Sequence, residues 1–275
     1  MILLVVVVLI GALLMAGWVG ARIGARVAAG PNPNNEGAGV LLGGAMGLMG
    51  LLIGFTFAMS AERFETRREL VVAEANALST TYLRDSLLPG AFGPRLDALV
   101  TQYGAARLDF FAAGRDARRL ADIGRRTGEL QDQIWKETAS ALRLPQSAPV
   151  TTSVLLTTNE MFDLAASRQA ARLAPVPGAV FWLLALVSIG TASLCGFNLA
   201  LAGNRHLAAS SAVFVMIAAS IALIVDLDWP ATGLVLVPQQ PMISQVADLR
   251  AHESRRGAFT LPDATAPPAG AANPN

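Results

Sequence analysis

Residues 37–61 read GAGVLLGGAMGLMGLLIGFTFAMSA and pass without a break into ERFETRRELVVAEANALSTTYLRDSLLP at residues 62–89. The first part is uncharged and, at ~25 residues, long enough to cross the roughly 30 Å hydrocarbon core of a bilayer as one helix. The second part is charged, yet no glycine or proline interrupts it before Pro89, and Phe64, Val71, Ala75, Leu78 and Tyr82 recur at helical spacing. This pattern predicts one helix that leaves the membrane and continues into a water-soluble domain. Such a helix suits a pore, a transducer or a scaffold, and says little about catalysis.

Composition points the same way. The 275-residue chain is 53% hydrophobic and 15% charged, with a mean hydropathy of +0.48, which is too apolar for a soluble domain and too charged in its middle for a wholly buried one. A membrane protein with a soluble insert fits both facts. A formal charge of +1 supplies no concentrated basic face, so a nucleic-acid partner is not expected. Cys195 stands alone inside an apolar run, which leaves no disulfide framework and no thiolate metal site.

The remaining segments fall on either side of this stretch. Residues 2–20 are long and apolar enough to span, and without a basic start they read as a retained helix rather than a cleaved signal. Arg22, Arg26 and the turn-rich GPNPNNEG follow as an outer loop. Beyond Pro89 and Gly90, residues 94–112, 115–143 and 150–173 read as helices of an insert. After Pro175 and Pro177 come spans at 178–197 and 207–225, joined by GNRH. The fold class expected is an all-α membrane protein, with four transmembrane helices in two pairs flanking a cytoplasmic helical bundle. By residue number, 1–59 hold the first pair, 60–175 the cytoplasmic domain, 176–226 the second pair, 227–256 a cytoplasmic C-terminal segment and 257–275 a disordered tail.

Orientation follows from arginine. Residues 60–175 carry 15 Lys/Arg and 14 Asp/Glu, with Arg63, Arg67 and Arg68 close to the second span and Arg168 and Arg172 close to the third. The positive-inside rule therefore places the insert and both termini in the cytoplasm of a bacterial inner-membrane protein, with Trp18, Trp182 and Trp229 as interfacial anchors. Arg22 and Arg26 outside dissent mildly.

No HExxH, CxxC, Walker-type or GxSxG pattern occurs, and His206 and His252 are far apart, so neither an enzyme nor a cofactor is expected. Asn159 and Asp163, four apart on a helix, read first as an inter-helix hydrogen bond. Asp226 and Asp228 end the last span ahead of Pro230. An acid against the membrane is costly unless paired, and Arg63, Arg67 and Arg68 are predicted at the same depth. In the second span Gly39, Gly43 and Gly47 are spaced by four, as are Gly50, Gly54 and Ala58, making small-xxx-small faces for close helix packing within or between subunits. Leu51, Phe55 and Met59 continue the stripe. Several copies around an axis would turn these side chains into an apolar constriction that gates by dewetting.

Gly54-Phe55 followed by Arg63-Phe64 resembles the end of the second transmembrane helix of bestrophins. The order of residues 54–89, then NEMFDLAASR at 159–168, then VDLDWPATGLVLVPQQP at 225–241, is similar to a bacterial family of bestrophin-like membrane proteins, a domain of unknown function related to bestrophin anion channels. The resemblance implies a pentameric, anion-selective channel whose pore is lined by the second helix, with Phe55 in the neck and Leu51 and Gly47 one and two turns above. Gly47 departs from the bulky neck of bestrophins. The acidic calcium clasp expected after the fourth span is reduced to Asp226 and Asp228, short of the roughly six to eight oxygens calcium takes, so no calcium site is expected. The expected partners are the bilayer, further copies of the chain and small anions. The alternative is a non-conducting scaffold or signalling protein whose cytoplasmic helices bind a partner.

Overall fold

The computed structural model describes residues 2–30, 36–114, 116–203, 207–229 and 233–258, and among these it has eight helices and no strand. They are α1 (Ile2–Ala28), α2 (Glu36–Asp85), α3 (Phe92–Ala112), α4 (Ala117–Ala141), α5 (Ala148–Arg172), α6 (Gly178–Leu201), α7 (Leu207–Asp228) and α8 (Gln240–Ala258). The chain is all-α. Its breaks fall where the backbone demands them. Gly90, Gly114 and Gly203 take positive φ just beyond α2, α3 and α6, where a side chain would be strained. Asp116 caps α4 by accepting from the N–H groups of Arg118 and Arg119. Pro177 stands at the head of α6 and Pro241 in the first turn of α8, positions that need no N–H donor.

Four helices are long and apolar enough to cross a membrane: Leu4–Ala28, the N-terminal part of the helix Gly37–Asp85, Gly178–Leu201 and Ser210–Asp228. The 50 residues of α2 extend about 75 Å at ~1.5 Å per residue, more than twice the hydrocarbon core. Its charged half, from Glu62, therefore lies beyond the membrane. Two compact units divide the chain, one made of residues 1–70 and 167–238 and the other of residues 71–166 and 239–275.

The first unit packs Leu13 of α1, Met49 of α2, Leu184 and Ala192 of α6, and Phe214, Ala218 and Ile224 of α7 into one core. α1 lies hard against α6: a Cβ on Gly20 would overlap the Ser193 carbonyl, one on Gly24 the Phe197 carbonyl, and one on Gly196 the Gly17 carbonyl. The helix α1 does not stop at Gly20 as expected. It continues to Ala28, so Arg22 and Arg26 are helical rather than loop residues, and Arg22 stacks over the Trp18 ring one turn earlier at 4.4 Å. Gly24, with no Cβ, lets this extra turn stay against α6.

In the second unit Val71, Ala75, Leu78 and Tyr82 face inward from α2 and join Leu96 and Tyr103 of α3, Ile134 of α4, Met161 of α5 and Met242, Val246 and Leu249 of α8. Gly104 lets α3 approach both sides, because a Cβ there would meet Leu78 at 2.8 Å and Val246 at 3.0 Å. α8 was not anticipated in the segment 227–256. Its buried stripe is only Met242, Val246 and Leu249, at i, i+4 and i+7, in an otherwise polar helix. The link residues Asn204, Arg205 and His206, the loop at 31–35, Pro230 and residues 259–275 of the tail lie outside the described residues.

Candidate functional site

Within the first unit α2 has two unlike faces. Met49, Thr56 and Ser60 are buried, Leu52 and Ile53 pack on the same core, and Thr56 Oγ1 donates to the Leu52 carbonyl at 2.7 Å. The other face carries Gly43, Gly47, Gly50 and Gly54 beside Leu51, 53% exposed, and Phe55, 66% exposed. A Cβ placed on any of those four glycines meets no atom of another described part of the chain within 4 Å, whereas one on Gly39 comes within 3.8 Å of the Asn198 side chain. Met59 is half-buried at the edge of the two faces. No described segment of the chain covers the glycine face.

Just beyond lies a layer of charge organised by Arg67. Its buried guanidinium donates to the carbonyls of Ala171 and Ala174 at the end of α5 and to those of Leu227 and Asp228 at the end of α7, at 3.1 to 3.4 Å. Helix ends leave carbonyls without partners in their own helix, and one arginine here serves two such ends. The Asp228 carboxylate stands 3.8 Å from Arg67 and accepts from the Val176 N–H at 2.9 Å. Arg63 donates to Ala174 at 2.6 Å, and Arg68 turns outward to Glu65 on its own helix. Among the described residues Asp226 meets no arginine: it accepts from the N–H groups of Leu234 and Val235 at 2.8 to 3.0 Å, and a Cβ on Gly233 would overlap its carboxylate. Residues 233–235 thus lie against Asp226, and both carboxylate oxygens accept from backbone N–H groups. Among the described residues no group of three or more His, Cys, Asp or Glu is placed to hold a metal ion.

These placements predict a modest cost for Asp228→Asn, about 1.5–3 kcal/mol, because the amide keeps the Val176 bond and loses the charge beside Arg67. Combined with Arg67→Met the loss should fall short of the sum of the two single losses. Thermal unfolding in detergent measures it, and strictly additive losses would show that the two residues act independently.

Residues 3–242 match the family described as Bestrophin-like domain. The chain belongs to that family. Solved structures share the fold. A bacterial bestrophin homologue from Klebsiella pneumoniae superposes with a TM-score of 0.65 at 18% identity, covering 92% of this chain and 99% of that one. An aspartate-to-alanine variant of a Klebsiella pneumoniae homologue gives 0.63 at 16% identity, over 88% and 97% of the two chains. A leucine-to-threonine variant gives 0.65 at 17%, over 92% and 98%. No curated protein matches the chain. Family membership together with the four apolar helices makes this a channel-like membrane protein of bestrophin fold.

Asn159 and Asp163 of this bestrophin-like chain belong to the second unit, whereas the glycine face of α2 belongs to the first. Asn159 and Asp163 are both exposed on α5, and no inter-helix hydrogen bond joins them to another described residue. Two sites built on buried acids escaped the sequence reading, one an ion pair and one a pair of aspartates. Glu74 of α2 and Arg107 of α3 form a hydrogen-bonded ion pair in the core of the second unit, and Asp85 at the end of α2 is buried near Asp97 of α3. Their only sequence signal is position: Glu74 falls beside Ala75 and Leu78 on the inward stripe, and Asp97 beside Leu96.

Proposed function

We propose that the chain is one subunit of an oligomeric ion channel, a pentamer by its resemblance, with the exposed glycine face of α2 turned to the axis and the neighbouring α2 helices. The observation that carries the reading is the contrast between the two faces. A face left to lipid gains nothing from four glycines in a row of turns, whereas glycine grooves let helix backbones approach one another closely. Leu51 and Phe55, projecting from the same face, then form two successive apolar rings, with Gly47 a wide level above. In this arrangement residues 60–175 and 227–256 lie on the cytoplasmic side of a bacterial inner membrane, as the arginine bias favours.

A ring too narrow and dry for water opposes any ion that must shed its hydration there. Phe55→Ala, and more strongly Leu51→Ala with Phe55→Ala, should therefore raise ion flux through reconstituted liposomes by an order of magnitude or more. Uncharged rings carry no sign of their own. A preference for chloride over sodium would come from the field of the protein, for which Arg63, half-exposed and held to a backbone carbonyl, is the best-placed candidate, since Arg68 is paired with Glu65. Stoichiometry in detergent and flux of both ions are measured on the same samples. A folded oligomer that carries no ion with or without the neck substitutions would end the channel reading and leave a membrane scaffold.

A further inference from the structure

Asp85 closes α2 and is 1% exposed, and neither oxygen of its carboxylate has a hydrogen-bond partner among the described residues. Asp97, one turn into α3, is buried as well. The backbone forces the two together. α3 begins hard against the last turn of α2: a Cβ on Gly93 would come within 2.9 Å of the Asp85 carbonyl, which also accepts from the Leu88 N–H at 3.0 Å, and Gly90 turns the chain between them with φ of 65°.

Basic groups on the surrounding elements are directed elsewhere. Arg84 on α2 donates to the Ser153 carbonyl of α5, Arg95 at the head of α3 donates to Glu137 of α4, and His252 of α8 lies against the Tyr82 ring. Among the described residues Asp97 is the charged group whose field bears on Asp85. Two carboxylates that share a dry site cannot both ionise cheaply, so one proton is retained between them.

We propose that Asp85 and Asp97 form a one-proton latch at the α2–α3 junction, closed while the pair holds its proton and loosened when both carboxyls are ionised. Burial first, and the charge of Asp97 second, push the Asp85 carboxyl up to about 8. A folded-state value above the unfolded one means that the stabilisation is complete below the ordinary aspartate range near ~4 and is lost as pH rises toward 8. Opening the junction in this window releases a proton, so the opening constant rises about tenfold per pH unit and levels off above pH ~8. This inference does not rest on the proposed conduction.

Amide hydrogen exchange of the full chain in detergent, followed by mass spectrometry and corrected for intrinsic chemistry, reads this directly. Peptides covering residues 83–100 should lose protection about ninefold between pH 6 and pH 7, about fivefold between pH 7 and pH 8, and then level off, while peptides from α6 should not change. The step from pH 7 to pH 8 lies above the ordinary imidazole pKa. Asp85→Asn should remove the pH dependence and leave the junction better protected than wild type at pH 8.5. Asp97→Asn, which relieves the repulsion but leaves Asp85 to titrate, should move the levelling-off to lower pH. Flat wild-type protection from pH 7 to pH 9 would overturn the latch, as would an unchanged profile in either variant. Should Asp85→Asn fail to fold, the direction of the shift in Asp97→Asn decides alone.

Discussion

Replacing Glu74 with leucine lowers the stability of the folded chain by about 3–5 kcal/mol, and the double replacement Glu74→Leu with Arg107→Met restores most of that loss. The pair is deeply buried, with Glu74 1% and Arg107 2% exposed. Arg107 is held by Glu74, by the Ala165 carbonyl at 3.4 Å and over the Phe110 ring at 4.7 Å. Deleting only the carboxylate strands a guanidinium that is fixed by its other contacts and cannot reach water. Deleting both charges removes the reason for the penalty and leaves apolar volume that Leu78, Tyr103 and Met161 can pack against. Urea unfolding of the detergent-solubilised chain, with proteolysis of α3–α5 as a second readout, measures the three variants. A double variant as unstable as the sum of the singles would contradict this account.

Gly196→Leu should cost more than ~3 kcal/mol and prevent assembly of the first unit, an effect beyond ordinary overpacking. A Cβ at Gly196 would overlap the Gly17 carbonyl and stand 3.0 Å from the Ala21 nitrogen, and Gly20 faces Ser193 in the same way. These are backbone-to-backbone contacts. No rotamer change can relieve them, so α1 and α6 must separate and expose Leu13, Leu184 and Ala192. Gly47→Ala on α2 supplies the comparison, because the added methyl has open space within the chain and improves helix propensity. The subunit fold should tolerate Gly47→Ala while subunit association, if α2 helices meet there, weakens. Size-exclusion chromatography and thermal unfolding on both variants distinguish the outcomes, and a well-folded Gly196→Leu chain would refute the α1–α6 contact.

The two glycine sets show why part of the site was legible and part was not. Gly39, Gly43, Gly47, Gly50 and Gly54 stand out in the sequence by number, but a Cβ on those from Gly43 onward would meet no other described part of the chain within 4 Å, and one on Gly39 comes within reach of Asn198. The tight contact inside the subunit uses Gly17, Gly20 and Gly24 with Gly196, a quieter pattern spread over two spans. A small-xxx-small face says that a backbone can come close and leaves open whose backbone it is. The charge layer behaves likewise. Depth alone put Arg63, Arg67, Arg68, Asp226 and Asp228 in one zone. Only packing sent Arg67 to the ends of α5 and α7, Arg68 to Glu65, and Asp226 to the N–H groups of its own loop.

What the sequence determined by itself is the class: helices bounded by glycine and proline, four of them apolar over a bilayer's width, and a helix that runs from an uncharged into a charged stretch. These are properties of single segments, because helix propensity and transfer into lipid are fixed by residues close together in the chain. The tertiary structure decided which faces are covered, that α8 completes the second core, and that Glu74 and Asp85 are buried acids with different company, one beside an arginine and one beside another aspartate. Partnership is a property of two segments, and the attraction or repulsion between Asp85 and its neighbours depends on a distance that only the folded chain sets.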